Sequence, residues 1–181
     1  MRCFIALPCP SEIRERLAVI QEKIKDFDGI KLVEFENIHL TLKFLGEVPD
    51  DKVESISNAL GFLEQENKFE VKVKGLGAFP KLSHINVVWA GVEDRTRIDS
   101  LHASVDKKLA ELDFQSENRF HPHYTIARVK YVKDKNSIQK FITENMDTKF
   151  GSYTMEKVVF MKSELTPQGP IYSPIMQYNL V

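Results

Sequence analysis

His39-Leu40-Thr41-Leu42 and His123-Tyr124-Thr125-Ile126 are the stretches from which the rest of the chain can be read. Both lie in runs dense in Leu, Ile, Val, Phe, Tyr and Thr, at residues 38–45 and 124–132, and each run predicts a β-strand. Side chains on a strand alternate faces, so a histidine and a threonine two positions apart project from the same side. Each strand therefore presents an imidazole beside a hydroxyl, and the chain does this twice, 84 residues apart.

Working outward, residues 4–7 form a short apolar run closed by Pro8 and Pro10. Ser11 then opens a helix whose Ile13, Leu17, Ile20 and Ile24 recur at helical spacing, and Gly29 ends it. A strand at residues 31–35 leads into the first motif, which Gly46 closes. Pro49-Asp50-Asp51 starts a helix with Val53, Ile56, Leu60 and Leu63 on its buried stripe. Alternation predicts a half-buried strand at 69–73, and the glycines and proline of 75–80 predict a bent connector. A strand at 85–92 surrounds the sole Trp89, and Ile98, Leu101, Val105, Leu109 and Leu112 mark a third helix. After the second motif come a helix near 137–144, a strand at 153–161, a loop at 163–174 that carries Gly169 and three prolines, and a last strand at 175–181.

Laying the chain on itself at the offset of 84 places Phe4-Ile5-Ala6-Leu7 on Val88-Trp89-Ala90-Gly91, the helix at Ser11 on the one near Arg95, and the helix after Pro49 on the one after Lys133. The order of elements repeats although residue identity hardly does. The expected architecture is α+β, a bilobal pseudo-two-fold duplication with two antiparallel sheets lining a central cleft and helices outside. Residues 1–181 are read as a single domain of two interleaved α+β lobes.

Composition bounds the setting. With 43% apolar residues the chain can bury a core without staples, and no apolar run approaches the ~20 residues needed to cross a bilayer. Met1-Arg2-Cys3-Phe4 begins nothing like a secretory leader, so a soluble, cytoplasmic protein, a monomer with no membrane partner, is expected. Cys3 and Cys9 would flank one strand, too far apart for a disulfide at ~3.3 Å per residue. A formal charge of −1 argues against coating nucleic acid by bulk electrostatics and leaves room for a local basic cleft.

Two imidazoles suit displacement at phosphorus. With an unperturbed pKa of about 6.5, one ring can accept a proton from an attacking water while the other, as imidazolium, donates one to the leaving alkoxide. Thr41 and Thr125 can donate hydrogen bonds to the non-bridging oxygens, where charge accumulates. The scheme needs no metal and no cofactor. His121-Pro122-His123 is a possible ligand pair for zinc, but no further ligands stand at recognisable spacing.

His39-Leu40-Thr41-Leu42-Lys43-Phe44-Leu45-Gly46 with His123-Tyr124-Thr125-Ile126-Ala127-Arg128 resembles the 2H phosphoesterase superfamily, and within it the LigT-like RNA 2′,3′-cyclic phosphodiesterase branch, also called the 2′-5′ RNA ligase family. Arg2-Cys3-Phe4-Ile5-Ala6, Gly77-Ala78-Phe79-Pro80 and Val87-Val88-Trp89-Ala90-Gly91 extend the likeness along the chain. The resemblance implies a bilobal fold that hydrolyses RNA ending in a 2′,3′-cyclic phosphate to a 2′-phosphomonoester without a metal. His39 would be the proton donor to the leaving 3′-oxygen and His123 the base that activates water, with the roles exchanged in the ligating direction. It also implies that Arg128 holds phosphate, although five residues after His123 is an odd separation that requires a bulge or a strand end. His84-Ile85-Asn86 departs from the family, which often has an arginine there.

Lys43, four residues after His39, shares its face by the same parity and is a candidate phosphate ligand, against a solvated lysine as the plain reading. Arg119, Arg128, Lys130 and Lys133, or Lys72, Lys74 and Lys81, could guide an RNA backbone, and Phe44, Phe79, Phe120 and Tyr124 could stack on bases. His102 shares a helical stripe with Ile98, Val105 and Leu109 and is expected to pack, His84 to sit in a surface turn, and His121 to support the cleft rim. Two other readings stay open: a different 2H reaction, such as opening of ADP-ribose cyclic phosphate or ligation as the main role, and a nucleotide-binding module without turnover.

Overall fold

The structure, a computed structural model, describes residues 1–181. Its elements run β1 (Arg2–Pro8), α1 (Ser11–Ile24), β2 (Ile30–Leu32), β3 (His39–Glu47), α2 (Val53–Ala59), β4 (Phe69–Lys81), β5 (His84–Val92), α3 (Thr96–Ala110), β6 (Tyr124–Val129), α4 (Lys135–Glu144), β7 (Lys149–Met155), β8 (Lys157–Thr166) and β9 (Gly169–Asn179). All pairings are antiparallel, in the order β7-β4-β5-β6-β3-β1-β8-β9 with β2 added to β6. The α+β class follows as expected. The two antiparallel sheets, β7-β4-β5-β6 and β3-β1-β8-β9, meet at one residue pair, Leu40 with Tyr124, which makes a continuous nine-stranded path.

Leu40 and Tyr124 are themselves 84 residues apart. A residue paired with its own repeat counterpart marks the pseudo-two-fold axis, which therefore passes between the two His-x-Thr strands. The halves are interleaved about it. In the repeat, β4 matches β8, yet β4 pairs with β5 and β8 with β1, so each half lends its last matched strand to the other half's sheet. Helix α1 packs on β6 and β7, and α3 packs on β3. Ile13, Leu17, Ile20 and Ile24 on α1, and Ile98, Leu101, Val105 and Leu109 on α3, are all buried, as their helical spacing requires.

Two element readings shorten: the strand read at 31–35 is only Ile30–Leu32, followed by a 3-10 turn at Phe35–Asn37, and the helix after Pro49 is α-helical only over Val53–Ala59, with Leu60 and Leu63 in a 3-10 stretch. Three others change in kind. Residues 75–80 belong to the interior of β4 rather than to a connector. Gly75 has φ +81 at a register shift, and a Cβ on Gly77 would stand 2.2 Å from the Trp89 ring, so these glycines serve a bulge and a close ring approach inside the strand. Residues 163–174 form most of the β8–β9 hairpin instead of a loop. Pro170 and Pro174 lie on β9, the edge of the sheet, where a missing N–H breaks no ladder. The stretch read as one strand at 153–161 is two, because the chain leaves β7 at Met155 and enters β8, on the far sheet, at Lys157.

Candidate active site

His39 opens β3, and His123 directly precedes β6, one residue before the symmetry-related pair. Both imidazoles line the same cleft of about 570 Å³, a volume that suits a nucleotide-sized ligand, and Thr41, Thr125 and Arg128 line it with them. The local wiring repeats. His39 Nδ1 lies 2.7 Å from the carbonyl of Asn37, and His123 Nδ1 lies 2.7 Å from the carbonyl of His121, in each case two residues upstream. A carbonyl only accepts, so Nδ1 carries the proton on both rings and the lone pair of each neutral imidazole sits on Nε2. His39 Nε2 meets the Thr41 hydroxyl at 2.9 Å.

Aromatic rings hold both histidines. Phe4 stacks on His39 at 5.0 Å between centroids, and Tyr172 meets it edge-on at 5.3 Å. Phe79 meets His123 edge-on at 4.9 Å, and Trp89 packs on His121 at 4.8 Å. Burial among these rings is the main force that pushes the His39 pKa below the ordinary histidine value. The Asn37 carbonyl opposes that shift, and the charge of His123 adds to it. His123 is lowered by burial first, against its backbone hydrogen bond, with help from His121 and Arg128.

A shared bulge decides which later residues reach the cleft. On β3, Thr41 and Lys43 face the consecutive residues Ala6 and Ile5, so Leu42 is the extra residue; on β6, Thr125 and Ala127 face Trp89 and Val88, so Ile126 is extra. Leu42 and Ile126 are again 84 apart. Parity inverts beyond each bulge, and this turns Arg128 into the cleft despite its odd separation from His123. The same inversion corrects the reading of Lys43. It turns inward, 3% exposed, pairs with Asp106 and donates to the Gln115 carbonyl at 2.6 Å, so it is not a phosphate ligand. Phe44, the counterpart of Arg128, takes the cleft position that parity gave to Lys43 and is 69% exposed.

Other candidates fall away from the cleft. Tyr124 is fully buried against Tyr153, and Phe120 stacks on the buried His102, which itself bonds the Leu42 carbonyl. Lys72 pairs with Glu70, Lys74 with Glu93 and Asp147, and Lys133 with Asp28, and none of them, nor Lys81, Arg119 or Lys130, lines the cleft. His84 is exposed at the start of β5. The sequence reading missed Arg2, Lys31 and Tyr172 on the cleft wall. Tyr172 was hidden by the proline-rich stretch around it; the Asn37 and His121 carbonyls could have been found from the repeat, since they share the offset of 84.

Comparison with known proteins agrees with this geometry. The family model described as LigT like Phosphoesterase matches twice, at residues 7–89 and 91–172, with starts separated by the same 84 residues. An RNA 2′,3′-cyclic phosphodiesterase of Methanocaldococcus jannaschii is 39% identical over 98% of this chain and 100% of its own, and one of Methanothermobacter thermautotrophicus is 35% identical over 99% of each. Among solved structures, a Thermus thermophilus protein superposes with a TM-score of 0.85 at 29% identity, covering 99% of this chain and 98% of that one. Escherichia coli LigT complexed with 3′-AMP superposes at 0.81 and 26% identity, covering 99% and 97%. No helix is long and apolar enough to cross a membrane. With the duplicated motif, the twice-matching family model and full-length relatives in agreement, the chain belongs to the LigT-like phosphoesterase family.

Proposed function

We propose that this protein hydrolyses RNA ending in a 2′,3′-cyclic phosphate to a 2′-phosphomonoester, with His39 as acid, His123 as base and no metal. The observation that carries the reading is the pair of imidazoles on one cleft, each with Nδ1 tied to a backbone carbonyl and Nε2 turned away from it, that of His39 toward the Thr41 hydroxyl. The names of the full-length relatives supply the substrate class. His123 Nε2 takes a proton from water as its oxygen bonds to phosphorus. The P–O3′ bond breaks on the opposite side, and the His39 imidazolium protonates O3′. Thr41, Thr125 and Arg128 bind the non-bridging oxygens, where the transition state gathers charge. Phe44 offers an exposed face for the terminal base. A 5′-hydroxyl of a second RNA in place of water gives a 2′-5′ linkage by the same proton transfers. The nucleotide complexes of Escherichia coli LigT suit a cleft that accepts nucleotides.

Adenosine 2′,3′-cyclic phosphate in the presence of a chelator should yield 2′-AMP, and His39→Ala and His123→Ala should each lose at least ~10²-fold in kcat/KM. Full activity in either variant sinks the reading, and a 3′-AMP product reverses which oxygen leaves.

A further inference from the structure

A second groove of about 340 Å³ adjoins the catalytic cleft and shares Phe4, Asn37, His39 and Tyr172 with it. It continues along the open face of the β3-β1-β8-β9 sheet, past Pro8 and over Met161 and Pro174. Two cations look into it, Arg14 and Lys157, and neither has a carboxylate within 4 Å. Arg14 is poorly satisfied. Its Nε is buried without a partner, and its guanidinium rests 4.8 Å over the Phe35 ring with one long bond, 3.5 Å, to the Phe35 carbonyl. The Lys157 ammonium donates one hydrogen bond, to Gln177 Oε1 at 3.3 Å. One acid, Glu36, lines the same groove.

The geometry of ribose says what reaches this place. The base leaves the sugar at C1′ and the 5′ chain leaves at C4′, on either side of the C2′–C3′ edge that carries the cyclic phosphate. On β3 the order along the cleft is Phe44, Thr41, His39, and beyond His39 the wall continues through Ile38, Asn37 and Glu36 into the second groove. A base on Phe44 and O3′ at His39 therefore send C5′ past His39 in that direction. Building on the proposed phosphodiesterase reading, we propose that the groove is a subsite for the penultimate nucleotide of the RNA, with Arg14 and Lys157 holding the phosphate that joins it to the terminal residue. The protein then reads an RNA end as at least a dinucleotide. Re-aiming the Arg14 guanidinium from a long carbonyl contact to a phosphate exchanges a weak bond for a charge-assisted one.

The test is a binding comparison by titration calorimetry between 2′-AMP and the dinucleotide ApA bearing a 2′-phosphate end, at two salt concentrations. The dinucleotide should bind about tenfold more tightly, with a steeper salt dependence because one more phosphate is neutralised. In Arg14→Ala and Lys157→Ala the ratio of the two affinities should fall toward one, with Arg14→Lys between. Equal affinities in the unaltered protein, or an advantage that survives both substitutions, overturns the proposal. Because binding is read without turnover, a dinucleotide advantage that persists while cyclic phosphates go unhydrolysed supports the subsite and counts against the catalytic reading alone.

Discussion

Lys43 carries a charge into the core, and the pair it makes there is structural. Removing one member of a buried ion pair strands the other, at a cost of about 3–5 kcal/mol, whereas replacing both by apolar groups is often neutral. Lys43→Met should lower the urea midpoint sharply, Lys43→Met with Asp106→Leu should recover most of the loss, and kcat in both should stay near that of the unaltered protein because neither residue lines the cleft. The two histidines make a prediction of a different kind. The proposed mechanism requires His39 protonated and His123 neutral, and both pKa values are lowered, chiefly by burial. The bell of kcat/KM, which reports the free enzyme, should therefore centre below pH 6.5 and decline as pH rises above it. An anionic phosphate bound between the rings favours the imidazolium, so the kcat profile should lie to the alkaline side of the kcat/KM profile. Coincident profiles centred above 6.5 would contradict the burial argument.

At the scale of elements, the β8–β9 hairpin is the outer wall of the cleft, with Ser163, Leu165 and Pro170 on its surface and Tyr172 set edge-on against His39 and Phe4. On the proposed mechanism, a hairpin in this position limits the water that reaches His39, the acid. Tyr172→Ala should let solvent onto His39 and move its pKa upward, toward the ordinary value, in an NMR titration of the imidazole Cε1–H signal, while Tyr172→Phe keeps the edge contact and leaves the titration where it was. An unchanged His39 titration in the alanine variant would show that Phe4 and the strand alone bury the ring. The paired bulges at Leu42 and Ile126 are the other decision made by elements. They aim an aromatic face from one half of the molecule and a guanidinium from the other into one cleft, so the pseudo-symmetric scaffold presents unlike groups there, as the unsymmetric nucleotide of the proposed reaction requires.

At the scale of the whole molecule, the halves share too much to separate. Beyond the helices packed across the axis, Gln21 on α1 donates to the carbonyls of Val33 and Ile126, at 2.9 and 2.8 Å, and Arg16 donates to the Phe150 carbonyl at 3.2 Å. The buried apolar cluster of 38 residues draws on both sheets and all four helices. One cooperative unit is proposed on that basis. Urea unfolding followed by Trp89 fluorescence, which reports one sheet, and by far-ultraviolet circular dichroism, which reports both, should give superimposable transitions. Two separated transitions would mean that the lobes unfold independently.

The sequence by itself determined the helices, the two motif strands, the duplication and the placing of histidine and threonine on one face. These depend on the 3.6-residue and two-residue periods of local backbone geometry, which need no knowledge of neighbours. Only the tertiary structure decided where Lys43 and Arg128 point, because a bulge is a mismatch with a partner strand and is invisible in either strand alone. It also decided that the prolines of residues 170–174 lie in a strand, since proline is tolerated at a sheet edge and the edge is defined by the strand order. Tyr124 and Phe44 make the same point as a pair. Both are aromatic residues of the two motif strands, and the fold buries the first and opens the second to solvent.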